Sequence, residues 1–308
     1  MNEINIGSLD LNLLKTFEAL YEEGSASRAG VRLGLTQSAV SAALKRLKTL
    51  YHDPLFIRNG RGLSPTPRAS ELQPLVSDAL NKCRETLLLL NHETASYAGR
   101  TVIVGLSDDF ELALGQPLLQ KLHQQSPGLR VVFRQTHSQI AADMLLRHEL
   151  DLALTAGGFT YRSLSKSHLA TGGYACLIAS TSDAPSPTLT LDEFIRRPHL
   201  LVSHGGYIGL MDEKLTELGL ARTVGASTTH FAAIPWLLKD SDLVTTIPAH
   251  AAKAIAEMVP TLRYVPCPLT MPNYAIELGC RQPALRDRPI LRVREALTEL
   301  TTAFDWAG

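Results

Sequence analysis

Ser38, Ser41, Lys45 and Lys48 stand at i, i+3, i+7 and i+10, with Gln37 just ahead of them. At helical spacing these side chains share one face. Small hydroxyls and an amide can approach base edges closely, while lysines reach phosphates. Arg28 and Thr36 precede this group, and Arg46, Arg58 and Arg61 follow it. Residues 25–68 hold eight bases against the single acid Asp53, a local net charge of +7. An excess of this kind is what a phosphate-facing surface requires. From charge alone, a solvated basic face without a partner accounts for it equally well.

Averaged over the chain the signal vanishes. Thirty Lys+Arg balance thirty Asp+Glu across 308 residues. The compensation is uneven, since residues 1–24 are net −4 and residues 69–308 net −3. A hydrophobic share of 45% with 19% charged residues is that of a folded soluble chain of two or three domains, not a disordered one. Aromatics at 6% are too few for a platform of stacked rings. No run of about 18 apolar residues exists, so no membrane span or membrane partner is expected. The start MNEINIGSLD lacks a basic and then an apolar stretch, so no secretory signal is expected and the cytoplasm is the expected compartment.

Enzyme signatures are absent. There is no GxSxG, Walker A loop, HExxH or GxGxxG after a strand, and the ten histidines form no ligand cluster. No catalytic residue, cofactor or metal is therefore expected. Cys83, Cys176, Cys267 and Cys280 are scattered without CxxC spacing and read as structural thiols. Cys267 with Cys280 is the alternative, as a redox pair.

The basic segment needs elements to hold it. Asp10 can cap a first helix, in which Leu13, Leu14, Phe17, Leu20 and Tyr21 repeat at helical spacing and Gly24 is the stop. Ser27 can cap a second helix over 28–33 that ends at Gly34. Thr36 then caps a third from Gln37 to about residue 50, whose Val40, Ala43, Leu44, Leu47 and Leu50 form the inward stripe. Two helices joined by a tight turn are the helix-turn-helix arrangement. Asn59-Gly60 between short apolar runs predicts a two-residue hairpin turn, with Arg58 and Arg61 flanking a tip suited to a minor groove.

Residues 9–66 resemble the winged helix-turn-helix of LysR-type transcriptional regulators. The matching residues include Leu13-Leu14, Phe17, Glu23-Gly24-Ser25, Arg28-Ala29, Arg32-Leu33, Thr36-Gln37, Ala39-Val40-Ser41, Leu44, Arg46-Leu47, Asp53-Pro54-Leu55-Phe56, Arg58 and the run 63–67. Two departures stand out. Gly30 replaces the usual Ala, at a cost of about 1 kcal/mol of helix stability, and Ser38 replaces the usual Pro.

Thr66-Pro67 is a strong helix start. An unbroken helix is expected from Arg68 to about residue 93, with a near-heptad seam of Leu72, Val76, Ala79, Cys83, Leu87 and Leu90. It can pack on its own domain or pair with a second copy, and the resemblance implies a homodimer or homotetramer. From about residue 99 strands and helices alternate. Strands are expected at 101–106, 131–135, 151–155, 199–203, 223–227 and 243–247, and helices between them imply largely parallel sheets. The resemblance implies a two-lobed fold like type 2 periplasmic binding proteins. The expected organisation is a DNA-binding domain over 1–66, a linker helix over 67–96 and an effector-binding domain over 97–308. Within it, lobe I takes about 97–168 and 275–308, and lobe II about 169–274.

Ligands in open α/β sheets lie beyond strand carboxyl ends, near helix starts. That nominates Ser107, Thr136, Ser203, His204, Thr229 and His230, where hydroxyls and N–H groups suit a carboxylate; the alternative at each is a plain helix cap. The chain further resembles the branch containing nodulation, aromatic-catabolism and MexT-like efflux regulators. Thr229-His230-Phe231 resembles a His-Phe pair at the effector site of NahR-like members, but Gly172-Gly173 stand before Tyr174 where those members carry a histidine. The expected function is a DNA-binding regulator of LysR type modulated by a small carboxylate or aromatic effector, with RNA polymerase as a further partner. The alternatives are a regulator of the same architecture that senses oxidants through cysteines, and a cytoplasmic solute-binding protein, which would have no use for residues 9–66.

Overall fold

A computed structural model describes residues 10–60, 62–88, 97, 99–180, 188–203, 205 and 208–306. It divides into two compact units, Met1–Ala95 and Ser96–Gly308.

The first unit comprises α1 (Leu11–Glu23), α2 (Ala26–Leu33), α3 (Gln37–Tyr51), β1 (Phe56–Asn59), β2 (Gly62–Pro65) and α4 (Pro67–Leu88). Four of its boundaries fall at the expected caps. Asp10 accepts from the Asn12 N–H and Thr36 from the Ala39 N–H, while Gly24 and Gly34 end α1 and α2 in the left-handed conformation. The second helix starts two residues earlier than expected, because Ser25 rather than Ser27 is its cap, through the Arg28 N–H. Phe17, Leu20, Ala29, Val40, Leu47 and Leu55 are fully buried together, with Phe17 and Phe56 rings 5.6 Å apart.

The hairpin register differs from expectation. Asn59 pairs with Gly62, so Gly60 and residue 61 lie between the last partners instead of Asn59-Gly60. Tertiary contacts hold β2 in place. The Leu63 N–H donates to the Gly24 carbonyl at 2.8 Å, and a side chain on Gly62 would collide with that carbonyl. At the wing's base, Asp53 Oδ1 accepts from the Leu55 N–H and the Thr66 hydroxyl, and Thr66 Oγ1 accepts from the Ala69 N–H to cap α4.

The expected unbroken α4 contains Pro74, whose missing N–H forfeits one helical hydrogen bond. The helix continues through it, because Ala69, Leu72, Val76 and Leu80 are all buried in the first unit's core. The seam is thereby corrected. Leu80 faces inward, while Ala79 and Cys83 are exposed and Leu75 is 69% exposed. The expected extension to about residue 93, including Leu90, lies outside the described residues, as does the Leu87 side chain.

The second unit holds two five-stranded sheets. The first has the order β4-β3-β5-β12-β6, from β3 (Thr101–Leu106), β4 (Arg130–Gln135), β5 (Leu152–Thr155), β6 (Leu164–Gly172) and β12 (Tyr274–Arg281). It carries α5 (Asp108–Gln125), α6 (Ala141–Leu146) and the final helix α11 (Arg288–Ala303). The second has the order β11-β7-β10-β8-β9, from β7 (Tyr174–Ala179), β8 (Pro198–Val202), β9 (Thr223–Thr228), β10 (Val244–Pro248) and β11 (Leu262–Pro266). Its helices are α7 (Leu191–Arg196), α8 (Leu210–Glu217), α9 (Ile234–Leu238) and α10 (Ala249–Met258).

Both sheets are mixed, against the expectation of largely parallel ones. β12 pairs antiparallel with β5 and β6, and β7 antiparallel with β10 and β11. The strands that join the lobes create these pairings. β6 stays in the first sheet to Gly172, the chain enters the second sheet at Tyr174, and it returns through residues 267–273 into β12. β6 alternates buried and exposed residues, the pattern of a half-solvated antiparallel strand.

Candidate nucleic-acid interface and effector site

On α3 the inward stripe is real only in part: Val40 and Leu47 are fully buried, whereas Ala43, Leu44 and Leu50 are half-buried. Gln37, Ser38, Ser41, Lys45, Arg46 and Lys48 are all exposed. Thr36 is exposed too, but its hydroxyl is shared between the helix cap and a 2.9 Å hydrogen bond with the Ser38 hydroxyl. Arg58 is exposed on β1, and Arg61 lies outside the described residues.

The acidic first helix does more than balance charge. Arg32, half-buried, donates to Glu22 and, at 3.3 Å, to Glu23. Burial works against its charge, but the hydrogen bond and charge of Glu22 outweigh that, with help from Glu18 and Glu23, and hold Arg32 above its ordinary value. Arg28 turns back to donate to the Glu23 carbonyl that ends α1. Arg46 pairs with Asp10 at 3.2 Å. The hydrogen bond from Asn12, with the Arg46 charge behind it, keeps Asp10 below the usual carboxylate range. Arg68 pairs with Glu71. On α4, Arg84 grips the buried Glu18 with both terminal nitrogens, at 3.2 and 2.5 Å. Of the eight bases counted in the sequence, Lys45, Lys48 and Arg58 are the described ones with no internal partner. The net +7 overstates the free positive surface, and apart from Arg68 with Glu71 within α4 the pairings responsible join separate segments, which linear spacing does not reveal.

In the second unit the sequence nominated strand ends, and the structure brings some of them together. Ser107 precedes α5 without capping it, because its hydroxyl donates instead to Asp109 Oδ1. Asp108 Oδ2 accepts from the Ala232 N–H at 2.9 Å. That bond draws the start of α5, in one lobe, to the turn Phe231–Ala233, in the other, directly beside His230. Thr229 and His230 are exposed there. Ser203 Oγ donates to the Gly205 carbonyl at 2.9 Å, and His204 lies outside the described residues. Thr136 adjoins the end of β3, its N–H donating to the Leu106 carbonyl, but its side chain is turned inward. It is fully buried, and its hydroxyl donates to Met144 Sδ at 3.2 Å. Its methyl packs beside Gly105, a gap that only a strand residue without a side chain leaves.

A second polar group between the sheets went unforeseen. His250, at the start of α10, is 1% exposed and Asp109 3%. Their Nε2 and Oδ2 atoms are 3.3 Å apart but out of line for a hydrogen bond. Tyr274 shares a 3.4 Å contact with His250 Nδ1, and the ring is stacked on Phe110 and edge-on to Trp306 at 4.7 Å. Burial, then the Asp109 charge, pushes the Tyr274 hydroxyl well up and the Tyr174 hydroxyl up, so both are neutral. The lone signal in the sequence was the polar pair Asp108-Asp109 at a helix start. His250 reads as an ordinary residue of an amphipathic helix.

The Gly172-Gly173 departure also has a local reason. A side chain on Gly172 would land 2.3 Å from Tyr274 Cζ, whereas one on Gly173 would meet nothing nearer than Asn273 Oδ1 at 3.8 Å. Cross-strand pairing of Gly172 with Tyr274 explains the demand.

Residues 11–70 match the model for the bacterial regulatory helix-turn-helix protein of the lysR family, and residues 96–302 match the LysR substrate binding domain. The chain is 30% identical over 307 residues to the HTH-type transcriptional activator NahR of Pseudomonas putida, covering 97% of this chain and all of that one. Among solved structures, the "probable transcriptional regulator PA0477" of Pseudomonas aeruginosa is similar with TM-score 0.73 and 27% identity, over 98% of this chain and 99% of that one. The regulatory domain of MexT, a transcriptional activator of Pseudomonas aeruginosa, is similar with TM-score 0.60 and 27% identity, over 65% of this chain and 99% of that domain.

Proposed function

Because the chain belongs to the LysR family of bacterial helix-turn-helix regulators, we propose that α3 lies in the major groove of its operator and that the wing lies beside it. Gln37, Ser38 and Ser41 face base edges in this reading. Lys45, Lys48 and Arg58 take phosphates, while Arg28, Arg46 and Thr36 mainly hold the frame. The carrying observation is that Lys45, Lys48 and Arg58 stay exposed and unpaired where neighbouring bases are tied internally. Replacing all three with Ala should weaken operator binding and lower the slope of log affinity against log salt by about one per residue. A slope equal to that of the native chain would reject the assignment.

The same reading makes the protein a cytoplasmic homodimer or homotetramer, not an enzyme. Leu75, Ala79 and Cys83 on the outer side of α4 are the surface that pairs with a second copy, and paired heads then read paired half-sites. RNA polymerase is the further partner. A small carboxylate or aromatic effector is bound between the lobes, where Ser107, Ser203, Thr229 and His230 provide polar partners. The Asp108 to Ala232 hydrogen bond is the observation favouring that place: a protein carboxylate already bridges the two lobes there. An effector carboxylate offered to the same N–H would displace it and alter lobe closure, and such coupling requires different effector affinity in the two closures. Thermal-shift screening of small carboxylates and aromatics, native chain against Asp108→Asn, tests this. A ligand whose shift is unchanged by the substitution would place the site elsewhere.

A further inference from the structure

The sequence reads the four cysteines as structural thiols with Cys267–Cys280 as the alternative pair, and the structure sets a different thiol beside Cys267. Cys280 lies in β12 of the first sheet, whereas Cys267 follows β11 of the second. Its neighbour is Cys176 on β7. In the antiparallel register Cys176 faces Val265, so Cys267, two residues on, occupies the diagonal position on the same face. Cys267 packs against the buried cluster that contains Cys176. The two thiols differ in access. Cys176 is fully buried, with Sγ 3.3 Å from the Thr246 hydroxyl. Cys267 is half-buried and lines a cavity of about 320 Å3 with Thr171, Tyr264, Met271 and Asn273.

We propose that Cys267 and Cys176 form an oxidisable dithiol, in which Cys267 meets a hydroperoxide in this cavity and Cys176 resolves the product to a disulfide. The electrostatics agree with that division of labour. Cys176 donates to Cys267 and is pushed up chiefly by that bond and by burial. Cys267 accepts from Cys176 and from the Leu269 N–H, which hold its thiol below the ordinary value despite burial. Access assigns the roles: Cys267 is half-buried at the cavity, where an oxidant can reach it, whereas Cys176 is fully buried.

The chemistry balances. The Cys267 thiolate attacks one peroxide oxygen, a sulfur–oxygen bond forms and the O–O bond breaks. The departing alkoxide or hydroxide takes up the proton that Cys267 released. Sulfur is oxidised by two electrons to a sulfenic acid while the hydroperoxide is reduced to an alcohol or water. Cys176 sulfur then attacks Cys267 sulfur, the S–S bond forms, the S–O bond breaks, and hydroxide leaves with the Cys176 proton as water. Diagonal residues start about 7–8 Å apart, just beyond the disulfide range of about 4.4–6.8 Å. Cys267 lies one residue past the last strand pair, Pro266 with Ala175, where the backbone can close that gap. The closed bond would fasten β7 to the crossover 267–273 that joins the lobes.

The test uses the reduced full-length protein and hydrogen peroxide in slight molar excess, followed by alkylation and peptide mapping. Fragment spectra must separate Cys267 from Cys280, since cleavage after Arg263 and Arg281 leaves both on one peptide. The expected result is a Cys176–Cys267 cross-link in most chains, reversed by dithiothreitol, with Cys280 still alkylated. In Cys176→Ser the link should be lost and Cys267 should react with dimedone. Mapping of the native chain decides the matter even where the variant fails to fold. Oxidation of Cys83 while Cys176 and Cys267 both remain alkylatable would overturn the proposal, as would a link from Cys267 to Cys280.

Discussion

The two units handle polar residues in opposite ways. In the first, acids and bases pair with one another across α1, α2, α3 and α4, and Lys45, Lys48 and Arg58 are the described cations of the basic segment left exposed without an internal partner. In the second, hydroxyls nominated for a ligand mostly bond within the protein, as with the buried Thr136 on Met144, Ser107 on Asp109 and Ser203 on Gly205. A small helical unit cannot hide many polar groups, so its surface is read almost directly from helix spacing. A two-sheet unit can bury them, so its site depends on which strands become neighbours.

The contrast can be broken most strongly at the helical core. Leu47 is fully buried beneath the α3 face. Leu47→Ala should cost about 3–4 kcal/mol and abolish operator binding, while leaving the fluorescence transition of Trp236 and Trp306, both in the second unit, in place. Parallel urea melts followed by circular dichroism and by fluorescence check this; a shift of both would show that the units do not unfold separately.

Next comes the buried ion pair of the second unit. The Arg222 side chain is 2% exposed and holds Asp212 with two hydrogen bonds of 2.8 Å, lowering its carboxyl. Arg222→Met strands that carboxylate and should cost about 3 kcal/mol in the fluorescence transition. An unchanged midpoint would mean that the pair merely breaks even with water.

A smaller effect is expected at the strand crossing. Gly172→Ala forces the Tyr274 ring aside and should cost about 2 kcal/mol. Gly173→Ala, with room for its methyl group, should cost less. Equal losses would remove the steric account of the departure from NahR-like members.

The smallest effect is a pH dependence. Burial, with the Arg222 charge beside it, lowers His199 to about 4 from 6.5, although its bond to the Phe194 carbonyl pulls the other way. Its ring is therefore neutral, donating from Nε2 to Phe194 and accepting from Arg222 at Nδ1. As pH falls below 6.5 the unfolded chain takes up the proton first, so stability is full above that value and drains toward pH 4. The loss should be on the order of 1–2 kcal/mol, measured as the difference in unfolding free energy between pH 7.5 and 4.5. His199→Gln should flatten the slope; an unchanged slope would assign it to other groups.

Legibility followed the range of the interactions. Caps at Asp10, Thr36, Gly24 and Gly34 depend on neighbours within a turn, and all were readable. Ser25 in place of Ser27 was a choice between two hydroxyls within a few residues, settled by where α1 stops. Gly30 looked like a defect in α2, but a side chain there would sit 2.7 Å from the Leu35 carbonyl, so the tight turn uses the space. Pro74 should have marked a break, and burial of Leu72, Val76 and Leu80 carries the helix across it. In the second unit, helix-forming periodicity exposed the α/β segments, whereas β6, β7, β11 and β12 were not marked out. Their pairings are antiparallel and reach as far as Cys280 with Leu152, 128 residues apart, and no local pattern encodes a partner that distant.

The sequence alone determined the family, the helix-turn-helix and the face of α3 available to a partner, because each rests on residues within a few helical turns. It also determined the alternation that makes two α/β lobes. Tertiary structure alone decided which cations remain free, which thiol neighbours Cys267, and that Asp109, His250 and Tyr274 meet in one buried group. Those outcomes depend on strand order and helix crossing, which bring together residues from tens to more than a hundred positions apart, and burial then sets the charge and hydrogen bonding that chemistry requires.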